Sequence, residues 1–239
     1  MKLKFGKPNA KLAKMAKKLK LKLATFTLPS GYTCPGAKDC LSFSDEKTGK
    51  IKDGPFTKFR CFMASAEARS PSLRKAVWHN FNLLRKALKS GVDKCAELIQ
   101  DSLPKCDVLR VHVGGDYFSK NYLLAWVQVA EANPDTVFYS YSKNLPAFVG
   151  VELPENLVLT ASRGGKFDSM IDELGWKEAL VVYSEAEAKE KDLEIDHDDE
   201  HAAFGKKDFA LLIHGTQPKG SKASEALSAI KRKAKEVAA

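Results

Sequence analysis

The sequence predicts an α/β fold: a mainly parallel sheet curved into a partial or irregular βα barrel, preceded by a basic helix and a cysteine loop. Three observations predict it. Five apolar runs, at 108–113, 137–141, 157–161, 179–183 and 209–213, alternate with segments of helical periodicity, the pattern of βα units around a parallel sheet. The carboxyl ends of those runs share one chemistry of glycine, hydroxyl and charge. No internal repeat or long linker divides the 239 residues, a length that suits one large α/β domain. An open doubly wound sheet fits the same strands, and in either arrangement ligands bind at the carboxyl ends.

Composition narrows the class. Apolar content of 44% and charged content of 29% are those of an ordinary globular chain, and no apolar run reaches membrane-spanning length. The N-terminus lacks the apolar stretch of a secretory signal. Five cysteines, an odd number, argue against a disulfide framework and for a reducing compartment, the cytoplasm. The net charge of +9 is a property of one end: nine lysines lie within residues 1–22, leaving 30 basic and 30 acidic residues beyond them. We therefore set residues 1–24 apart as a basic arm, with 25–239 as the α/β domain. Such an arm offers phosphate contacts to nucleic acid.

In chain order, residues 8–23 read as a weak amphipathic helix through Leu12, Met15 and Leu19. Thr25 to Leu28 alternate and stop at Pro29-Ser30-Gly31. A helix capped by Ser72 carries Val77, Phe81, Leu84 and Leu88 to Gly91. A second runs from Val92 to Leu103, and a third covers 120–133 with Tyr122, Trp126 and Val129 on its apolar side. Further helices are expected near 166–174, 185–191 and 222–237.

Between the first strand-like segment and these helices lies Cys34-Pro-Gly-Ala-Lys-Asp-Cys40, a polar run, and Arg60-Cys61-Phe62. Three cysteines in a loop rich in Gly, Pro and charge have no core to enter, and soft-metal ligation accounts for them. Their intervals are 6 and 21 residues. Structural zinc favours close cysteine pairs and four protein ligands, whereas a [4Fe-4S] cluster tolerates wide spacing because its thiolates sit on different irons. Cys95 reads as core, and Cys106, ahead of a strand, belongs at the far end of the sheet. Cys34, Cys40 and Cys61 are therefore the expected ligands, leaving one iron open.

The strand ends supply a candidate rim: Gly114, Gly115 and Asp116; Ser142 and Lys143; Ser162 and Arg163; His214 and Gln217. They are the expected cofactor-binding residues, with glycine admitting a ligand to the backbone. No catalytic residue is singled out. The segment Asp196 to His201 reads as a solvated acidic loop, with a divalent-cation site as its alternative.

A three-cysteine cluster and a Gly-Gly-acid strand end on one rim resemble the layout of radical SAM enzymes, which implies S-adenosylmethionine as a second cofactor. The chain departs from that layout in its wide cysteine spacing and in having Asp116 for a glutamate, and both departures count against methionyl binding. A closer resemblance rests on several linked motifs. Leu28-Pro-Ser-Gly-Tyr-Thr-Cys34-Pro35, Arg60-Cys61-Phe62, Trp78-His-Asn-Phe81, His112-Val-Gly-Gly-Asp-Tyr-Phe118, Ala161-Ser-Arg-Gly-Gly165 and His214-Gly-Thr-Gln-Pro218 together resemble the gene product 88 family of phages and bacteria. The resemblance runs from about residue 8 to residue 225. It implies a phage-type protein in the host cytoplasm carrying an iron–sulfur cluster, with no reaction assigned and the fourth ligand open. The alternative is a nucleic-acid-binding protein whose cluster or zinc is structural.

Overall fold

The computed structural model describes residues 1–237 and is an α/β half-barrel. Helix α1 (Ala10–Leu19) leads into β1 (Leu23–Thr25). The long connection that follows holds a two-stranded antiparallel ribbon, β2 (Ser42–Ser44) with β3 (Ile51–Asp53), and three helices, α2 (Phe62–Arg69), α3 (Pro71–Leu88) and α4 (Val92–Ser102). Then come β4 (Val108–Arg110), α5 (Lys120–Glu131), β5 (Val137–Ser142), a 3-10 turn at Leu145–Phe148, β6 (Leu157–Ser162) and α6 (Ser169–Leu174). The chain finishes with β7 (Glu178–Val182), α7 (Glu185–Glu190), β8 (Glu194–Ile195), α8 (Glu200–Phe204), β9 (Phe209–Leu212) and α9 (Lys222–Val237).

Seven strands form one sheet in the order β1-β4-β5-β6-β7-β9-β8, every neighbouring pair parallel. All five expected strands belong to it. The sheet gains two short ones, β1 and β8, whose three and two residues are too few for a periodic signal. Beyond β1 the chain stays extended: Phe26 N–H donates to Arg110 O and Val113 N–H to Phe26 O, both at 2.9 Å.

The strand period of two divides the core. Leu109, Val111 and Phe138 point to one face and meet Trp126 and Tyr122 of α5, Leu84 of α3 and Ile99 of α4. Val108, Tyr139 and Phe209 point to the other, where Leu12 and Met15 of α1 and Ala202 and Ala203 of α8 cover them. The N-terminal lysines thus ride on a helix docked to the sheet: Leu12 and Met15 are fully buried, so residues 1–24 are built into the domain. Local chemistry sets the helix starts. Asn9 accepts from Leu12 N–H at 3.0 Å, and Ser119 and Ser184 cap α5 and α7 in the same way. The cap of α3 is Ser70, not Ser72: Ser70 Oγ accepts from Leu73 N–H and Pro71 occupies the first helical position, where its missing N–H costs nothing. Among the described residues, no helix is long and apolar enough to cross a membrane.

Candidate metal centre

The cysteine loop lies across the carboxyl ends of β4, β5, β6 and β9. Asp39 N–H donates to Gly164 O and Lys166 N–H to Gly36 O, each at 2.9 Å. Gly36 lies against the backbone of Lys143 so closely that a Cβ there would overlap its carbonyl group. At the other end of the loop, Gln217 Oε1 accepts from Arg60 N–H at 2.8 Å while its amide donates to Arg60 O and His214 O. Arg60 in turn grips Asp53 of the ribbon. The segments on both sides of the cysteines are therefore fixed to the sheet.

This docking gives the rim residues partners within the chain. A Cβ on Gly114 would come within 2.5 Å of Met63 Cγ, and one on Gly115 within 2.6 Å of Leu28 Cβ. Gly115 also has φ +82°, a backbone that other residues adopt only with strain. These glycines admit the loop and its flanks, and both also line the cavity beneath it, with Asp116, Lys143, Ser162 and His214. Asp116 is buried, and its carboxylate accepts four hydrogen bonds: Tyr117 N–H and Ser142 Oγ–H at Oδ1, Lys143 N–H and Asn144 N–H at Oδ2. A carboxylate has about four lone-pair sites, so none is left for a methionyl amine. Burial pushes its pKa up to about 6 against the pull of those donors. Lys143 spends its three protons on Ser162 O, Ser162 Oγ and Arg163 O, and Arg163 pairs with Asp172 and Glu178. The rim is a closed network that ties β4 to β5 and β5 to β6.

Beneath the loop is a cavity of about 490 Å³ lined by Cys34, Cys40 and Cys61. None is in a disulfide, and each is half-buried. Burial, reinforced by Asp116, Cys61 and Cys40, drives the Cys34 thiol well above its ordinary range. Burial and then Cys40 push Cys61 up to about 12, opposed by the Ala64 and Met63 N–H groups at the start of α2. Cys40 is raised by burial while Lys143 pulls it back. Cys95 and Cys106 sit in the α3–α5 side of the core, away from the loop as expected. Among the described residues, no three of His, Cys, Asp and Glu are grouped to hold a metal ion.

The same cavity reaches a cluster that sequence reasoning missed. Asp196 and Asp199 are 3% and 1% exposed, which corrects the solvated acidic loop. Asp196 accepts from Asp198 N–H, Asp199 N–H and Ala202 N–H, turning the chain into α8. Asp199, held at φ +70°, receives Arg110 Nη1, Lys11 Nζ at 2.7 Å and Tyr139 O–H at 3.1 Å. Burial pushes the Asp199 carboxyl up, but Arg110 and Lys11 outweigh it and hold it below its usual range. His112 lines the cavity with its Nδ1 unpartnered and its Nε2 at 3.1 Å from Tyr122 O–H, and burial lowers its pKa to about 3. The available signal was Arg110, a lone charge in an apolar strand, because a buried charge calls for a partner.

Residues 1–235 match the family model described as Gene product 88. Over 125 residues the chain is 31% identical to the Gene 88 protein of Mycobacterium phage L5, covering 48% of this chain and 46% of that one. It is 30% identical over 125 residues to the Gene 88 protein of Mycobacterium phage D29, covering 48% and 45%. The matched stretch is thus about half the length of these curated relatives. No solved structure matches. On the strength of the family match, which runs through both the cysteine loop and the half-barrel, the chain belongs to the Gene product 88 family.

Proposed function

We propose that Cys34, Cys40 and Cys61 hold a [4Fe-4S] cluster at the mouth of the half-barrel. One observation carries this: the three thiols of the loop, none in a disulfide, line one cavity. Thiolate is the donor type such a cluster takes. Half-buried thiols that disfavour one another's ionisation gain most from a cation that binds them as thiolates. Zinc needs four donors around a single ion, whereas iron of a cluster takes its thiolates separately. Such a cluster, when bound, supplies one-electron redox chemistry and an iron without a protein thiolate. Against burial, the N–H groups at the start of α2 ease the thiolate form of Cys61 and Lys143 eases that of Cys40.

Protein reconstituted without oxygen is expected to be brown and to contain iron and sulfide. Cys34→Ser loses both and Cys95→Ser keeps them. Equal iron in the two variants, or a colourless protein loaded with zinc, would sink the proposal. S-adenosylmethionine at the open iron is its finer form, with the saturated Asp116 carboxylate standing against it. An electron paramagnetic resonance signal unchanged by that compound leaves a structural or electron-transfer cluster.

A second reading, nucleic-acid binding, is favoured by the outer side of α1, where Lys14, Lys17, Lys18 and Lys20 are exposed. It expects affinity for nucleic acid that falls steeply with salt. Binding indifferent to salt, or equal after Lys14 and Lys17 become glutamine, removes it.

A further inference from the structure

The cavity has polar groups that the thiol proposal leaves unused. Around the rim nearly every donor and acceptor is spent, as Asp116, Lys143 and Gln217 show. Next to the Asp199 cluster this is not so. Arg110 gives Nε–H to His112 O and Nη1–H to Asp199, while Nη2 makes no hydrogen bond with the described residues. The Tyr141 hydroxyl is buried without a partner among the described residues, and Arg110 Cζ stands 5.0 Å from the centre of its ring. Lys11 is one-third exposed at 34% and gives Asp199 one ion pair. His214 has Nδ1 3.1 Å from Leu212 O, which leaves Nε2 unused. All four line the cavity, together with Val113, Val181, Leu211 and Ile213.

Buried polar groups are ordinarily hydrogen-bonded, so a set of unspent donors in an apolar pocket marks where a ligand's acceptor goes. Charge narrows the class. Beside the Asp199 cluster Arg110 and Lys11 are matched by Asp196 and Asp199, so a dianionic phosphate there meets two acids, while the other cations on the wall, Arg60 and Lys143, are already taken by Asp53 and by oxygens of Ser162 and Arg163. A single carboxylate asks less, and its two oxygens suit a guanidinium edge. We propose that Arg110, Tyr141 and Lys11 bind the carboxylate of a small organic acid whose apolar body lies along Val113, Val181 and Leu211.

The site needs no iron, so it is tested on the full chain with 4-phenylbutyrate and its neutral analogue 4-phenylbutan-1-ol, by calorimetry and saturation-transfer NMR. The acid is expected to bind about tenfold or more tighter than the alcohol, the size of one hydrogen bond to a charged group. Arg110→Gln removes that preference. Because Arg110 also holds Asp199, Tyr141→Phe is the second variant: its hydroxyl bonds none of the described residues, so the melting temperature holds while acid affinity falls several-fold. Absence of acid binding, equal affinity for acid and alcohol, or a preference unchanged in both variants overturns the proposal. Iron is assayed in the same samples. Acid binding in wild-type protein that takes up no iron keeps this site and removes the cluster; iron with no acid preference does the reverse.

Discussion

Gly36 rests directly on the backbone carbonyl of Lys143, with no room between them for a single methyl group. Lys143 is also the residue whose ammonium ties β5 to β6, so the cysteine loop is seated on the most heavily cross-linked part of the rim. Gly36→Ala is therefore expected to lift the loop between Cys34 and Cys40. Overpacking of this kind costs about 1–3 kcal/mol, which for a chain of this size lowers the melting temperature by roughly 2–12 °C. Thermal denaturation checks the stability, and iron uptake checks the thiols. An unchanged melting temperature with full iron uptake shows that the loop is not seated through Gly36.

The sheet was largely legible in the sequence because its central strands are long apolar runs, buried on both faces. The edge strands were not, because two or three residues carry no period. At the rim the residue types were legible and their use was not. Glycines and an aspartate after parallel strands read the same whether they face a ligand or a crossing loop, and here they meet the loop of residues 29–61 while also lining the cavity under it. Asp199 was lost for a different reason. Its partner Arg110 is 89 residues away, and a run of acids shows local charge but no distant counter-ion. The cap expected at Ser72 falls at Ser70 because Pro71 favours the first helical position.

Asp116 offers a test that separates holding the rim from holding a ligand. Its four hydrogen bonds come from donors alone. Asn at this position presents an NH₂ group to two of them, leaving buried N–H or O–H groups unpaired at about 1–3 kcal/mol. Asp116→Asn is expected to lower the melting temperature of iron-free protein by roughly 2–12 °C. If it melts like the wild type and differs only when a cofactor is present, the carboxylate belongs to a ligand instead.

Glu67 makes stability depend on pH between the carboxylate range and neutrality. It is fully buried on α2, accepts Ser30 N–H at Oε1 at 2.9 Å, and has no partner at Oε2. Burial raises its pKa from 4.5 to about 7, against the Ser30 hydrogen bonds and the charge of Arg74. The folded chain thus holds a proton that the unfolded chain releases near pH 4.5. Between these values the folded state binds more protons, so its stability falls as pH rises from about 4.5 to about 7 and is level above that. Glu67→Gln keeps the acceptor for Ser30 and never ionises. It is expected to be more stable than the wild type by roughly 1–3 kcal/mol at pH 8 and about equal to it at pH 4. Urea denaturation of both proteins across this range checks it, with iron absent so that the cysteines stay protonated. Because Glu67 joins Ser30, just before Cys34, to the helix that begins after Cys61, the variant also reports whether the two ends of the cysteine loop are held by that one carboxyl. A wild-type curve that runs parallel to the variant's from pH 4 to pH 8 rules out a buried proton at Glu67.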